Sequence, residues 1–145
     1  IHESKLNDFR NAFLSYADSV LNVNDLEPQL YLDAEIRLFD LNRRFMEFIK
    51  KLGPYGPGNM RPKFFVTNAN VIGNPKVIGN GDHIRFQVKQ KQSVIDVVGF
   101  GLAHHYQDLI LGVPIDIACI VETNVWRGKE SIQLNARDIR LSSTE

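Results

Sequence analysis

The chain has 145 residues, 43% hydrophobic, 23% charged and 10% aromatic, a balance that suits one ordinary globular domain or two small ones and excludes disordered, collagenous and solenoid classes. Seventeen basic residues offset seventeen acidic ones, so bulk charge alone does not hold a polyanion and any nucleic-acid contact must come from where particular cations sit. One cysteine, Cys119, rules out an internal disulfide framework and a multi-cysteine zinc site, which points to a reducing, cytoplasmic setting. No apolar run reaches the length of a membrane helix, so no membrane partner is expected. The start at Ile1-His2-Glu3 reads as a piece of a longer chain.

Leu6, Phe9, Phe13, Tyr16, Ala17 and Val20 recur at the spacing of one helical face, with Ser4 as the candidate cap and Asn22 to Asp25 as the stop. Residues Gln29 to Ile36 alternate apolar and polar, predicting a half-buried strand. Leu38, Leu41, Phe45, Phe48, Ile49 and Leu52 predict a second helix capped by Asp40, with Lys50 and Lys51 at the negative end of its dipole and Gly53-Pro54 ending it. The segment Gly53-Pro54-Tyr55-Gly56-Pro57-Gly58-Asn59-Met60-Arg61-Pro62 combines fixed and permissive backbone angles, so it is a stiff turn of specific shape.

Five short strands follow: Phe64 to Val71 with an extension near Lys76 to Ile78, then His83 to Gln90, Val94 to Phe100, Ile115 to Thr123 and Ser131 to Ile139. Leu102 to Leu111 predicts a short helix between the third and fourth, and Asn80-Gly81-Asp82, Gln90-Lys91-Gln92 and Arg127-Gly128 mark the tight turns. This is the element order of an OB-fold, a small Greek-key barrel that commonly binds oligonucleotides or oligosaccharides. The expected class is therefore α+β: a five-stranded OB-fold β-barrel preceded by two helices and a linking strand.

The second barrel strand carries the main functional signal. His83, Arg85, Gln87 and Lys89 alternate with Ile84, Phe86 and Val88, placing a polar, basic row outside the barrel, extended by Lys91. Such a row can track a single-stranded backbone; equally, it is the solvated outer face of a strand guarded by cations. Trp126, flanked by Arg127 and Lys129 at a hairpin tip, either stacks on a base or folds back over the barrel end. His104 and Asp108 lie one helical turn apart beside His105, but two ligands do not make a metal site, and exposed histidines are the simpler reading. Cys119 alternates with Ile117 and Val121 as an inert core thiol, and neither a nucleophile elbow nor a phosphate loop is present, so no catalytic residue and no metal ligand is assigned.

Leu52-Gly53-Pro54-Tyr55-Gly56-Pro57-Gly58-Asn59-Met60-Arg61-Pro62-Lys63-Phe64 resembles the Leu-Glu-Pro-Phe-Gly-Pro-Gly-Asn-x-x-Pro-x-Phe signature of RecJ, the single-stranded-DNA-specific exonuclease family. His83-Ile84-Arg85-Phe86, Gly99-Phe100-Gly101-Leu102, Trp126-Arg127-Gly128 and Gln133-Leu134 through Asp138-Ile139-Arg140 are similar to later segments of the same family, in the same order. Upstream, Leu32-Asp33-Ala34-Glu35 and the helix Leu6 to Val20 are similar to its linker and to the end of its DHHA1 domain. The resemblance implies three parts: residues 1–25 as the last helix of a truncated DHHA1-type domain, 26–62 as a strand-helix linker with the Gly/Pro turn, and 63–145 as the DNA-binding barrel. It also implies that manganese or magnesium serves a DHH nuclease domain absent from this sequence, which has neither Asp-His-His nor Gly-Gly-His. No cofactor is expected within these residues, and the segment alone is expected to be inactive. The expected partners are single-stranded DNA, the nuclease domains of the same chain and repair proteins. The candidate DNA-binding residues are Tyr55, Asn59, Arg61, His83, Arg85, Gln87, Lys89, Lys91, Trp126, Arg127 and Lys129. The competing reading is an OB-type module that recruits protein partners.

Overall fold

A computed structural model describes residues 2–143, which form two compact units dividing between Tyr31 and Leu32. The first unit holds a 3-10 turn, Glu3–Lys5, then helix α1, Leu6–Val20, and a second 3-10 turn, Val23–Leu26. Ser4 does not cap α1. It lies inside the first turn, where its N–H donates to His2 Nδ1, and Lys5 stands at the N-cap without a side-chain bond. The predicted stop at Asn22 is a capping box in which the Asn22 N–H donates to Asp25 Oδ2 at 2.8 Å. No residue of α1 is buried.

The second unit begins with strand β1, Ala34–Glu35, a 3-10 turn at Leu38–Asp40 and helix α2, Arg43–Lys51. Both differ from the sequence expectation. The alternation over Gln29 to Ile36 yields only two strand residues, Ala34 and Glu35, in parallel register with Phe64 and Phe65, with single backbone bonds from Asp33 to Lys63 and from Ile36 to Phe65 at either end. The second helix starts later than its apolar spacing suggests, since the Asn42 side chain, not Asp40, accepts the Phe45 N–H at 3.1 Å. Leu38 and Leu41 are still buried, but from the tighter turn ahead of the helix.

Strands β2 (Phe64–Ile78), β3 (His83–Gln90), β4 (Ser93–Gly99), β5 (Ile115–Trp126) and β6 (Lys129–Leu141) make the barrel. The order is β1-β2-β3-β4-β6-β5, with β5 returning to pair with β2, so the last five strands close on themselves and β1 is an extra strand on the outside of the ring. The β4–β6 pairing is parallel and the others within the ring are antiparallel, which gives the predicted OB-fold. The two pieces foreseen for the first barrel strand are one strand, bent where its register with β3 shifts between Ile72 and Lys76. Between β4 and β5 the predicted helix is a 3-10 turn, Ala103–His105, running into α3, Tyr106–Ile110.

Alternation fills the interior with Val66, Ile84, Phe86, Val88, Val97, Ile117, Cys119 and Leu134. Leu109 of α3 joins this core, as do Leu38, Leu41 and Ile49 from the segment preceding β2. Burial pushes the Cys119 thiol up to about 12, so it is an unreactive apolar filler. At Gly99 a Cβ would come within 3.2 Å of Leu102 and Ile84 side chains, so the end of β4 tolerates no larger residue without movement.

Asp116 on β5 is a buried carboxylate, 6% exposed. Burial by itself raises its pKa, but the Ser142 hydroxyl (2.6 Å), the Asn68 N–H (3.1 Å) and Arg140 Nε (3.1 Å) all donate to it and together hold it below the ordinary 3.8. A carboxylate whose folded pKa is lowered contributes stability above its unfolded pKa and loses it as pH falls through the folded value. Asp116→Asn is therefore expected to flatten the acid-side decline of melting temperature below about pH 4. Superimposable acid limbs for the two proteins would show that Asp116 does not contribute to it.

Candidate nucleic-acid interface

The basic row emerges from the pleat of β3. Ile84, Phe86 and Val88 are buried while Arg85, Gln87 and Lys89 are exposed. Register with the neighbours then sets what each meets: Arg85 lies between Lys76 and Val98, Gln87 between Ile72 and Asp96, and Lys89 between Asn70 and Val94. Asp96 is the residue sequence reasoning missed. Its carboxylate accepts from Gln87 Nε2 at 3.1 Å and lies 3.6 Å from the Arg85 guanidinium, so the row carries its own counter-charge. Strand pairing alone could have exposed it, because Asp96 falls opposite Gln87 only once the β3–β4 hairpin register is fixed.

The β5–β6 hairpin turns through Arg127 and Gly128, whose φ values of 50° and 75° are both left-handed, as a two-residue type I′ turn requires. Glycine takes this backbone without penalty. The last pair of the ladder is Trp126 with Lys129. Trp126 is 69% exposed, so it does not fold back over the barrel end, and the Arg127 guanidinium sits 5.8 Å from its ring centroid.

Closure of the barrel through β4 and β6 brings these two features together. A groove of about 460 Å³ is lined by Arg85, Asp96 and Val98 on one side and by Trp126, Lys129 and Gln133 on the other. A smaller depression of about 250 Å³ continues past Arg85 to Gln87 and Lys76. An exposed indole, a lysine and an arginine around one open groove can hold a stacked ring and its neighbouring phosphate.

Other candidates sit elsewhere or are held within the fold. His83 is half-buried at the start of β3, where its Nδ1 accepts the Gly101 N–H at 3.2 Å and its ring meets Phe100 edge-on. Tyr55 donates its hydroxyl to the Ile49 carbonyl, and the Arg61 guanidinium lies 5.7 Å from the Tyr55 ring centroid. The Asn59 side-chain amide donates to the carbonyls of Leu52 (3.0 Å) and Pro54 (2.8 Å), and its backbone pairs reciprocally with Gly56. This network gives the Gly/Pro turn its shape. Lys91 lies at the β3–β4 turn, apart from the hairpin groove, with its Nζ 4.5 Å from the Phe39 ring centroid.

His105, not His104, makes the local carboxylate contact, with Nδ1 3.1 Å from Asp108 and Nε2 3.7 Å from Asp138. Among the described residues, no three His, Cys, Asp or Glu side chains converge to hold a metal ion. No helix among the described residues is long and apolar enough to cross a membrane.

Comparison with known proteins gives these features a family. The chain is 25% identical over 135 residues to the single-stranded-DNA-specific exonuclease RecJ of Bacillus subtilis, covering 93% of this chain and 17% of that protein. The crystal structure of RecJ in complex with Mn2+ from Thermus thermophilus superposes with a TM-score of 0.74 at 20% identity, over 99% of this chain and 20% of that one. The Mg2+ complex from the same organism gives 0.71 at 23% identity, over 99% and 21%. The chain thus spans about a fifth of the length of these relatives. A family model, the RecJ OB domain, matches residues 32–138, and the chain belongs to the RecJ OB domain family.

Proposed function

We propose that this barrel binds single-stranded DNA across the hairpin groove and along β3, as the strand-holding part of a RecJ-type single-stranded-DNA exonuclease acting in cytoplasmic repair and recombination. Arg85 and Lys89 meet phosphates, Trp126 stacks on a base, and Arg127 and Lys129 neutralise the phosphates beside it. Manganese or magnesium belongs to the cutting centre of such an enzyme, outside these residues. The observation that carries the reading is the convergence of Arg85, Trp126 and Lys129, from distant parts of the chain, on one open groove. Family membership agrees with it.

The interaction is expected to be sequence-tolerant, because stacking and phosphate neutralisation read no base edges. Fluorescence anisotropy with a labelled oligo-dT across a salt series tests it. Arg85→Ala and Lys89→Ala are each expected to weaken binding and to reduce the slope of log K against log salt by about 0.7, the contribution of one single-strand phosphate. A slope unchanged in both variants would remove β3 from the interface.

A further inference from the structure

A second cluster with related chemistry lies at the rim of the barrel, where the β3–β4 turn meets the 3-10 turn Leu38–Asp40. Phe39 is 37% exposed, although Leu38 beside it is fully buried. Two cations sit over its ring: the Arg37 guanidinium 4.6 Å and the Lys91 ammonium 4.5 Å from the centroid. Next to them is an open cavity of about 350 Å³ whose lining includes Phe39, Lys91, Asn68, Asn70 and Gln90.

Several details fix how this rim is built. The Gln90 side chain accepts the Leu38 N–H at 2.8 Å and donates to the Thr67 carbonyl, tying the 3-10 turn to β2 and β3. Lys91 holds a left-handed φ of 53°. Two carboxylates are near: Asp40 pairs with Arg37 Nε at 3.0 Å, and Glu35, itself part of the cavity lining, accepts from the Thr67 hydroxyl at 2.7 Å. Lys91 makes no ion pair among the described residues, so its charge is available to an incoming anion.

The rim is also continuous with the β3 row, since Asn70, which lines the cavity, is the cross-strand partner of Lys89. From Arg85 to Gln90, the last residue before Lys91, the strand rises about 17 Å, a span within the roughly 4–16 nucleotides that an OB fold covers.

We propose that the Arg37–Phe39–Lys91 rim is a second nucleotide subsite, which receives the same DNA strand after it has crossed β3. Lys91 and the exposed Arg37 guanidinium take a phosphate, the Phe39 ring seats the two cations, and the Asn68 and Asn70 amides meet polar edges in the cavity. The barrel thereby holds the strand at two ends of one path. This rests on the proposed function and lengthens the site it describes.

Anisotropy with dT4, dT8 and dT12 on the full chain distinguishes the two. The short probe is held by the hairpin groove alone, and longer probes gain from the rim. Phe39→Ala combined with Lys91→Asn, in which asparagine tolerates the left-handed backbone, is expected to leave dT4 binding within about twofold. The same variant loses about fivefold or more on dT8 and dT12, provided its melting temperature matches the parent. Trp126→Ala is expected to weaken all three. Retention of the length-dependent gain by the double variant, with Trp126→Ala still weakening every probe, overturns the second subsite and leaves the hairpin groove standing. Failure of the parent to bind any of the three overturns both.

Discussion

Replacing Trp126 with alanine is expected to weaken oligo-dT binding by about 5- to 150-fold, the range of the roughly 1–3 kcal/mol that one base-stacking aromatic supplies. The effect should be confined to binding. The indole is exposed and lies outside the core, so the melting temperature should barely move. Trp126→Phe, which keeps a ring at the same place, should recover most of the loss, whereas a purely electrostatic hairpin would show no such rescue. If Trp126→Ala binds as tightly as the parent in an anisotropy titration, the indole is not part of the interface and the groove reduces to its cations.

Leu134→Ala is expected to have the largest effect on stability. Leu134 is fully buried on β6, opposite Val97 of the parallel strand β4 and Val121 of β5. It therefore sits at the seam where the ring closes. Replacing its isobutyl side chain by a methyl leaves a cavity between two strand pairs that cannot both relax inward, and such losses cost about 2–5 kcal/mol. Urea unfolding followed by far-UV circular dichroism should show a lower midpoint with a nearly unchanged slope. A loss below about 1 kcal/mol would mean that the barrel collapses around the gap.

Much of the barrel was readable from the residues because its strands obey local rules. β3 spans the same residues, His83 to Gln90, that its alternation indicates, since both flanking strands are adjacent in sequence and lock the register through short turns. The linker before the barrel was not readable in the same way. Gln29 to Ile36 has the period of a strand, but pairing depends on a partner thirty residues later, and the Asp33 N–H and carboxylate bond only to the backbone of Lys63. Likewise Asp40 and Asn42 are both competent caps by type, and burial of Leu38 and Leu41 in the preceding turn decides for Asn42. For the candidate site, the types were legible and the distances were not. Nothing local indicates that Trp126 shares a groove with Arg85, because that proximity comes from the parallel β4–β6 pairing. Nor does anything local place Phe39 beside Lys91.

The two-residue turn at Arg127-Gly128 makes the β5–β6 ribbon a ruler for the indole. Lengthening both arms by two residues would carry the ring outward by about 6.8 Å while keeping it on the same side, and lengthening both by one would swing it to the opposite side. The reach of the hairpin is thus quantised, and the spacing between the indole and the first cation of the neighbouring strand can change only in whole pleats.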